Sequence, residues 1–203
     1  MLESMARLPG ERLDLSAYGE DFSARFGSLR NSTIWKVERQ QDFRQPESPS
    51  WVAFDGDRWA DSLGLIEENR HALKRQFARI AAAGSAVRRV RVVEEPFSPY
   101  LYWELHSLHL RAQCGEDIRV IGPDRIAALE TVDTVPEVVT LGESVTYRIL
   151  YDAQGVLEGA VRYTDPVINA GCRADIAALH REGERLASFF AREVATKDVS
   201  CVR

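Results

Sequence analysis

Three arginines lie within one short segment whose other members are valines, and they are the residues best suited to chemistry in this chain. Arg88, Arg89 and Arg91 precede Glu94 and Glu95. The guanidinium group is planar, always charged and shaped to bind a carboxylate or a phosphate through two parallel hydrogen bonds. The segment therefore predicts either an anion-binding site or an internal network of ion pairs.

The two interpretations differ in what neutralises the arginines. A buried guanidinium is costly unless a carboxylate pairs with it, and Glu94, Glu95 and Glu104 are the partners that the sequence offers nearby. In the structural interpretation these glutamates take the positive charge. In the functional interpretation a phosphate or carboxylate ligand takes it. Both interpretations remain open at this point.

The position of the arginines suits a site, although the same residues would also make a strand-to-helix turn without a ligand. Residues 87–93 are short and rich in β-branched side chains, which predicts a strand, and Ser98-Pro99 is a typical helix start. Ligands of open α/β sheets bind beyond the carboxyl ends of strands, where the N–H groups of the next helix favour anions. The predicted ligand-binding residues are Arg89, Arg91, Glu94, Glu95, Ser98, Tyr100, Tyr102, Glu104 and His106.

A second polar group follows on the predicted helix 98–114. Tyr102, His106, His109 and Gln113 share one helical stripe, separate from the apolar stripe that should face the core. Two histidines three residues apart can bind one metal ion, but no third ligand stands near them in the sequence. We expect a solvated or partner-facing stripe and no metal site.

Several enzyme classes are disfavoured because their motifs are missing. The sequence has no phosphate-binding Gly-x-x-x-x-Gly-Lys-Ser/Thr loop, no Gly-x-Gly-x-x-Gly, no His-Glu-x-x-His and no Gly-x-Ser-x-Gly. No catalytic residue can be assigned from such a pattern, and no cofactor is predicted.

Composition limits the class of protein. Of the 203 residues, 45% are hydrophobic and 28% charged, which is typical of a packed globular chain. The formal net charge of −5 argues against a general nucleic-acid-coating protein. Cys114, Cys172 and Cys201 are widely spaced and predict free thiols. Neither a secretion signal nor a membrane-spanning run is visible, so we expect a cytoplasmic protein with no membrane contact.

The elements that would position these residues alternate between helix and strand before a run of strands. Helical patterns cover 16–29, 59–83, 98–114, 123–129 and 166–194, and strand patterns cover 32–39, 87–93, 117–121, 137–141, 144–151 and 156–163. This order predicts an α/β fold with a mixed sheet flanked by helices. We expect a loose lead-in at 1–15, one domain at 16–195, an irregular loop at 40–57 and a polar tail at 196–203.

Two of the predicted strands place charges on a defined face. In the segment 32–39, Ile34, Lys36 and Glu38 share one side, because side chains alternate along a strand. In the segment 87–93, Arg89 and Arg91 share one side and Arg88 takes the other.

The central motif resembles that of an actinobacterial family of unknown function, DUF6879. The resemblance rests on four blocks: Thr33-Ile34-Trp35-Lys36-Val37-Glu38-Arg39, the run from Arg88 to Glu104, the run from Ala112 to Ile121, and Asp165-Pro166-Val167. It covers roughly residues 20–190 and implies a phospholipase-D-like α/β fold. It also implies a regulatory role, since many members occur near helix-turn-helix regulators and antibiotic or developmental loci.

Two features of the chain limit what this resemblance implies. Phospholipase chemistry needs His-x-Lys, and His71-Ala72-Leu73-Lys74 is one residue too long and lies in a predicted helix. Phospholipase activity is therefore not expected. The family pattern has an aromatic-rich strand where this chain has Glu137-Val138-Val139-Thr140-Leu141-Gly142-Glu143.

Two functions follow as hypotheses. The first is a non-catalytic regulatory, sensor or interaction module, accessory to a DNA-binding transcription regulator, that binds a small anionic ligand at 88–104. The second is a biosynthetic group-transfer enzyme, a transferase, that acts on a phosphate- or tRNA-linked substrate. Direct DNA binding is disfavoured by the acidic balance and the missing helix-turn-helix pattern.

Overall fold

A computed structural model describes residues 1–199, and residues 200–203 of the predicted polar tail lie outside the described residues. Its centre is one eight-stranded sheet in the order β1-β7-β6-β5-β2-β3-β4-β8. The strands β2, β3 and β4 are parallel to one another, and all the other neighbours are antiparallel. The predicted α/β fold with a mixed sheet is confirmed.

The strand bounds agree closely with the sequence patterns for most of the sheet. The strands are β1 (Glu11–Asp14), β2 (Thr33–Glu38), β3 (Ala86–Val92), β4 (Asp117–Ile121), β5 (Val138–Leu141), β6 (Val145–Tyr151), β7 (Leu157–Tyr163) and β8 (Glu184–Arg185). The helices are α1 (Leu15–Ser28), α2 (Pro49–Asp55), α3 (Trp59–Glu68), α4 (Arg70–Ala82), α5 (Pro99–Cys114), α6 (Pro123–Ile126), α7 (Pro166–Glu182) and α8 (Leu186–Glu193).

The helices cover the two faces of the sheet unequally. On one face α7 packs across β2, β3 and β4 and closes an apolar cluster around Val37, Val90 and Ile176. On the other face α1 lies over β7, while α4, α5 and α8 lie over β3 and β4. On this second face, β2, β5 and β6 lie between α1 and the group of α4, α5 and α8. The helices cover these three strands less completely there.

Helix α5, which follows β3, is buried along most of its length. Ser98 caps it by accepting a hydrogen bond from the backbone N–H of Leu101 at 3.0 Å, and Pro99 occupies its first turn. Because α3, α4, α8 and the sheet surround α5, even Tyr102 and Glu104 are buried. The predicted start and end of this helix are confirmed.

Two long predicted helices are each divided in the structure. The helix expected over 59–83 breaks at Asn69, whose side-chain amide donates to the carbonyl oxygen of Leu65 at 2.9 Å, and α4 starts anew after it. The helix expected over 166–194 ends at Gly183. A Cβ at Gly183 would lie 2.6 Å from the Cβ of Arg119, so glycine allows the chain to approach β4 and add β8.

The predicted irregular loop 40–57 and the predicted loose lead-in 1–15 also contain ordered elements. Helix α2 forms after Ser48, whose hydroxyl caps it. In the lead-in, Leu2 and Met5 are fully buried, and β1 pairs with β7. The expectation of a loose lead-in is wrong, because these apolar side chains fill the space between α7 and the sheet.

None of the helices within residues 1–199 combines the length and the apolar composition that crossing a membrane requires.

Burial of Met5 generates a first prediction. Met5→Ala should lower the free energy of unfolding by about 2–4 kcal/mol, because it leaves a cavity beside Cys172. Leu15→Ala, at a side chain that is half exposed, should change it by less than about 0.5 kcal/mol. Urea denaturation followed by circular dichroism measures both. Equal, small effects of the two substitutions would show that residues 1–15 contribute no packing.

Candidate ligand-binding groove

Charged side chains meet on the less covered face of the sheet because β2 and β3 are in register. Lys36 is paired with Arg89 across the two strands, and Glu38 is paired with Arg91. The side chains of all four point to the face that carries α5, as the alternation in each strand predicted. On the opposite face, Arg88 is exposed and its guanidinium lies over the ring of Trp35.

Arg89 is held by two carboxylates from different elements. Its Nε donates to Oε1 of Glu116 at 2.7 Å, and its Nη1 donates to Oε2 of Glu38 at 2.6 Å. Burial alone would raise the pKa of Glu38 and of Glu116, but the positive charge of Arg89 lowers both, and it holds the pKa of Glu38 well below the usual range. Both glutamates are therefore ionised at neutral pH.

The same network continues outward to two cations at the surface of the groove. The Nζ of Lys36 lies 3.1 Å from Oε1 of Glu38, and Nε of Arg111 donates to Oε2 of Glu116 at 2.6 Å. The side chains of Lys36 and Arg111 are 30% and 27% exposed. We call Lys36, Glu38, Arg89, Glu116 and Arg111 the ion ladder. Three cations and two carboxylates leave it with one excess positive charge.

Arg91 lies deeper than the ladder and is fully buried. Its Nε donates to Oε2 of Glu104 at 2.8 Å, and its Nη1 donates to the carbonyl oxygen of Val92 at 3.0 Å. Within residues 1–199 its Nη2 has no hydrogen-bond partner. Burial, together with the negative charge of Glu38, raises the pKa of Glu104 despite the attraction of Arg91. The Arg91–Glu104 pair links the middle of the sheet to α5.

Glu104 also connects to the wall of the groove. The hydroxyl of Tyr100 donates to Oε1 of Glu104 at 3.3 Å, and Nε2 of Gln45 donates to that hydroxyl at 2.6 Å. Burial raises the pKa of Tyr100 well above its ordinary value, with a contribution from the charge of Glu104. The phenol therefore stays neutral and remains a hydrogen-bond donor.

Glu137 is a buried residue of this region that sequence reasoning missed as a site residue. Its Oε1 accepts hydrogen bonds from the backbone N–H groups of Arg39 and Gln40 at 2.9 and 2.7 Å. Burial raises its pKa to about 8, although these donors and Arg91 act in the opposite direction. The available signal was a lone glutamate at the start of a strand that is otherwise apolar.

The ion ladder forms part of an elongated groove between α1 and α5. Two adjoining cavities of about 700 Å³ and about 550 Å³ share Lys36, Glu38, Gln45, Arg111, Tyr151 and Leu157. Aromatic rings form the walls: Phe43, Tyr100 and Trp103 in the larger cavity, and Tyr18, Phe22 and Phe26 in the smaller one. These volumes are in the usual range for small-molecule sites.

The structure brings together only part of the predicted site. Arg89, Tyr100 and Glu104 line the groove, and Arg91 lies beneath it. Glu94 and Glu95, which were expected to neutralise the arginines, instead pair with Arg39 at 2.6 Å and Lys197 at 3.7 Å. Besides capping α5, Ser98 donates to the carbonyl oxygen of Gln41.

Tyr102 and His106 lie on the other side of α5, away from the groove. The ring of His106 packs 4.8 Å from Trp59 and 4.9 Å from Phe190, measured between ring centroids. His109 stacks on Phe190 at 4.0 Å. The expectation of a solvated or partner-facing stripe is wrong for Tyr102 and His106, because α3 and α8 pack against this part of α5, whereas Gln113 at its end is exposed. Burial, with a smaller contribution from His109, lowers the pKa of His106 to about 4.

Across residues 1–199, no three His, Cys, Asp or Glu side chains gather in a way that could hold a metal ion.

A protein family described as "Domain of unknown function (DUF6879)" matches residues 20–191. The chain belongs to this family. The match spans the ion ladder, α5 and most of the residues that line the groove, while Leu15 and Tyr18 of the groove precede it. No curated protein matches the chain.

The Arg91–Glu104 pair generates a second prediction. Arg91→Met should lower the free energy of unfolding by about 3–5 kcal/mol, because it leaves Glu104 buried without its cation. Adding Glu104→Leu should recover part of that loss, so that the coupling energy in a double-mutant cycle reaches about 1–3 kcal/mol. Urea denaturation of the four proteins measures it. Additive losses would show that the two side chains do not stabilise each other.

Burial of His106 generates a third prediction, which concerns how the free energy of unfolding depends on pH. The unfolded chain takes up the proton near pH 6.5, and the folded chain only near pH 4, so stability falls as the pH drops through this window. His106→Phe should make that fall less steep. The free energy of unfolding, measured from pH 7 to 4, tests this. His71→Phe, at an exposed position of α4, is the matched control and should leave the slope as in the wild type.

Proposed function

We propose that the protein is a non-catalytic sensor or interaction module that binds a small anionic ligand in the groove. The observation that carries the proposal is the position of Lys36 and Arg111. Both line both cavities, and both are partly exposed at the ends of an ion ladder with excess positive charge. Within residues 1–199 the Nη groups of Arg111 make no hydrogen bond, so they are free to donate to an acid group.

The aromatic walls of the groove indicate the chemistry of the uncharged part of the ligand. Tyr100, Trp103 and Tyr151 present aromatic surface next to the cations. Aromatic walls with a few fixed polar groups are typical of sites for small organic molecules. The ligand proposed is therefore an apolar or planar molecule that carries a carboxylate or phosphate.

The state of the two carboxylates of the ion ladder favours binding over catalysis. A general base needs a pKa near the working pH, whereas the pKa values of Glu38 and Glu116 are lowered from the ordinary value and both carboxylates are engaged by Arg89. Regulation through a DNA-binding transcription factor, in antibiotic or developmental control, is the context that the family resemblance suggests. An actinobacterial source and a phospholipase-D-like ancestry belong to the same proposal.

A group-transfer enzyme acting on a phosphate- or tRNA-linked substrate is the second candidate. One observation favours it: Glu104 lines the groove, and burial raises its pKa towards the range of a general acid. In this alternative Glu104 exchanges a proton with the bound substrate, and Lys36 and Arg111 hold its phosphate.

Ligand binding is tested by thermal shift with defined probes. Phenyl phosphate, benzoate and adenosine monophosphate should raise the melting temperature with increasing concentration, while benzyl alcohol, the uncharged analogue, should not. Lys36→Ala and Arg111→Ala should each weaken the binding of the best probe by roughly 10-fold or more, since each removes a charged hydrogen bond.

Arg173→Ala is the matched control. The Arg173 side chain is also 27% exposed and forms one ion pair, with Glu143 at 2.8 Å, but it lies on α7 across the sheet. It should leave probe binding unchanged. If no anionic probe shifts the melting temperature, or if Arg173→Ala weakens binding as much as Arg111→Ala, the groove is not the anion site.

Glu104→Gln separates the two candidate functions. In the sensor it keeps the shape of the site and leaves binding of phenyl phosphate within about threefold of the wild type. In the enzyme it abolishes turnover while binding persists. Total tRNA and phosphorylated probes incubated with the wild type, and followed by mass spectrometry, detect any transferred group.

A further inference from the structure

Helix α4 has an unusual charge for this chain. Between Arg70 and Ala82 it carries Arg70, His71, Lys74, Arg75 and Arg79, and it has no acidic residue, although the whole chain has a net charge of −5. Lys74, Arg75 and Arg79 are exposed and form no ion pair within residues 1–199. Most other arginines of the described chain are paired with a carboxylate, so this concentration of unpaired cations stands apart.

A cleft with an apolar floor runs along the face of α4 that carries Arg79. It has a volume of about 750 Å³ between α1 and α4, and Phe26, Leu29, Ile34 and Ile80 line it. Arg79 stands on the α4 rim and Arg30 on the α1 rim. Arg30 is exposed and donates only to backbone carbonyl oxygens, those of Gly27 and Leu29. We call this region the α1–α4 cleft.

We propose that the α1–α4 cleft and the basic face of α4 form a docking surface for an acidic amphipathic segment of a partner protein. Apolar side chains of the segment fill the cleft, as in the binding of a helix to a groove, and its carboxylates face Arg30 and Arg79 on the rims and Arg75 next to them. The proposal extends the interaction role given above to a surface of its own.

The alternative polyanion, a nucleic acid, fits these observations less well. Phosphate contacts need clustered cations, which α4 supplies, but they make no use of an apolar cleft. A short acidic segment with apolar side chains uses both the cations and the cleft.

The test uses fluorescence anisotropy with the full chain and three labelled probes. The first is a peptide of about 18 residues made of Glu, Leu and Ala, with leucines at helical spacing. The second has the same charge but serine in place of leucine. The third is a DNA duplex. We expect the first peptide to bind with a dissociation constant below about 100 µM at low salt and at least about fivefold more tightly than the other two.

Two double variants, one on α4 and one elsewhere as a control, show where on the surface the peptide binds. Arg75→Ala combined with Arg79→Ala should weaken the first peptide by roughly 3- to 30-fold, because two exposed ion pairs are lost. Arg181→Ala combined with Arg185→Ala is the control. These two arginines are also four residues apart, exposed and without an ion pair within residues 1–199, and this variant should bind like the wild type. All four substituted side chains are exposed, so the fold is retained, and circular dichroism verifies it.

Several outcomes would overturn the proposal. Absence of peptide binding removes the docking surface, and equal binding of the leucine and serine peptides removes the role of the cleft. Tighter binding of the duplex assigns the surface to nucleic acid. Self-association of the chain that depends on Arg75 and Arg79, seen by analytical ultracentrifugation, assigns it to a second copy. None of these measurements uses Lys36 or Arg111, so the small-ligand site can fail or stand separately.

Discussion

Arg89 and Arg91 lie side by side on one face of a central strand, where burial makes an unpaired guanidinium costly. Their carboxylates come from distant parts of the chain: Glu38 from β2, Glu104 from α5, and Glu116 from the turn between α5 and β4. Each ion pair is satisfied only if β2 and β3 keep their register and α5 keeps its depth above the sheet. The arginines thus tie together the elements that form the groove.

The same charges explain why the sheet face remains open above β2. An apolar helix laid across Lys36 and Arg111 would remove both cations from water and give them no new partner, at a cost of several kcal/mol. Helices α1 and α5 therefore stand on either side of the ion ladder and leave the space between them free. The groove is a consequence of the buried charge network, and its aromatic walls belong to the helices and loops that border it.

How far the sequence predicts this arrangement depends on the range of each interaction. Alternation within a strand correctly placed Lys36 with Glu38 and Arg89 with Arg91, because it is local. The carboxylates that pair with the arginines were harder to predict from the sequence. Glu94 and Glu95 are close to the arginines along the chain, whereas Glu38 reaches Arg89 only because β2 pairs with β3. Strand register is a property of two distant segments and leaves no trace in either pattern alone. The breaks at Asn69 and Gly183 were missed for the same reason, as the packing that they permit is tertiary.

The two proposed surfaces are contiguous, and this has a physical consequence. The smaller cavity of the groove and the α1–α4 cleft share Phe26, Gly27, Ile34 and Gln76 as lining residues. A ligand that moves the Phe26 ring on one side changes the wall that a docked segment meets on the other. Coupling of this kind is reciprocal, so a segment that favours one position of the ring alters the affinity for the ligand by the same factor. A sensor needs such a shared wall, because a ligand that binds equally well with and without the partner transmits nothing.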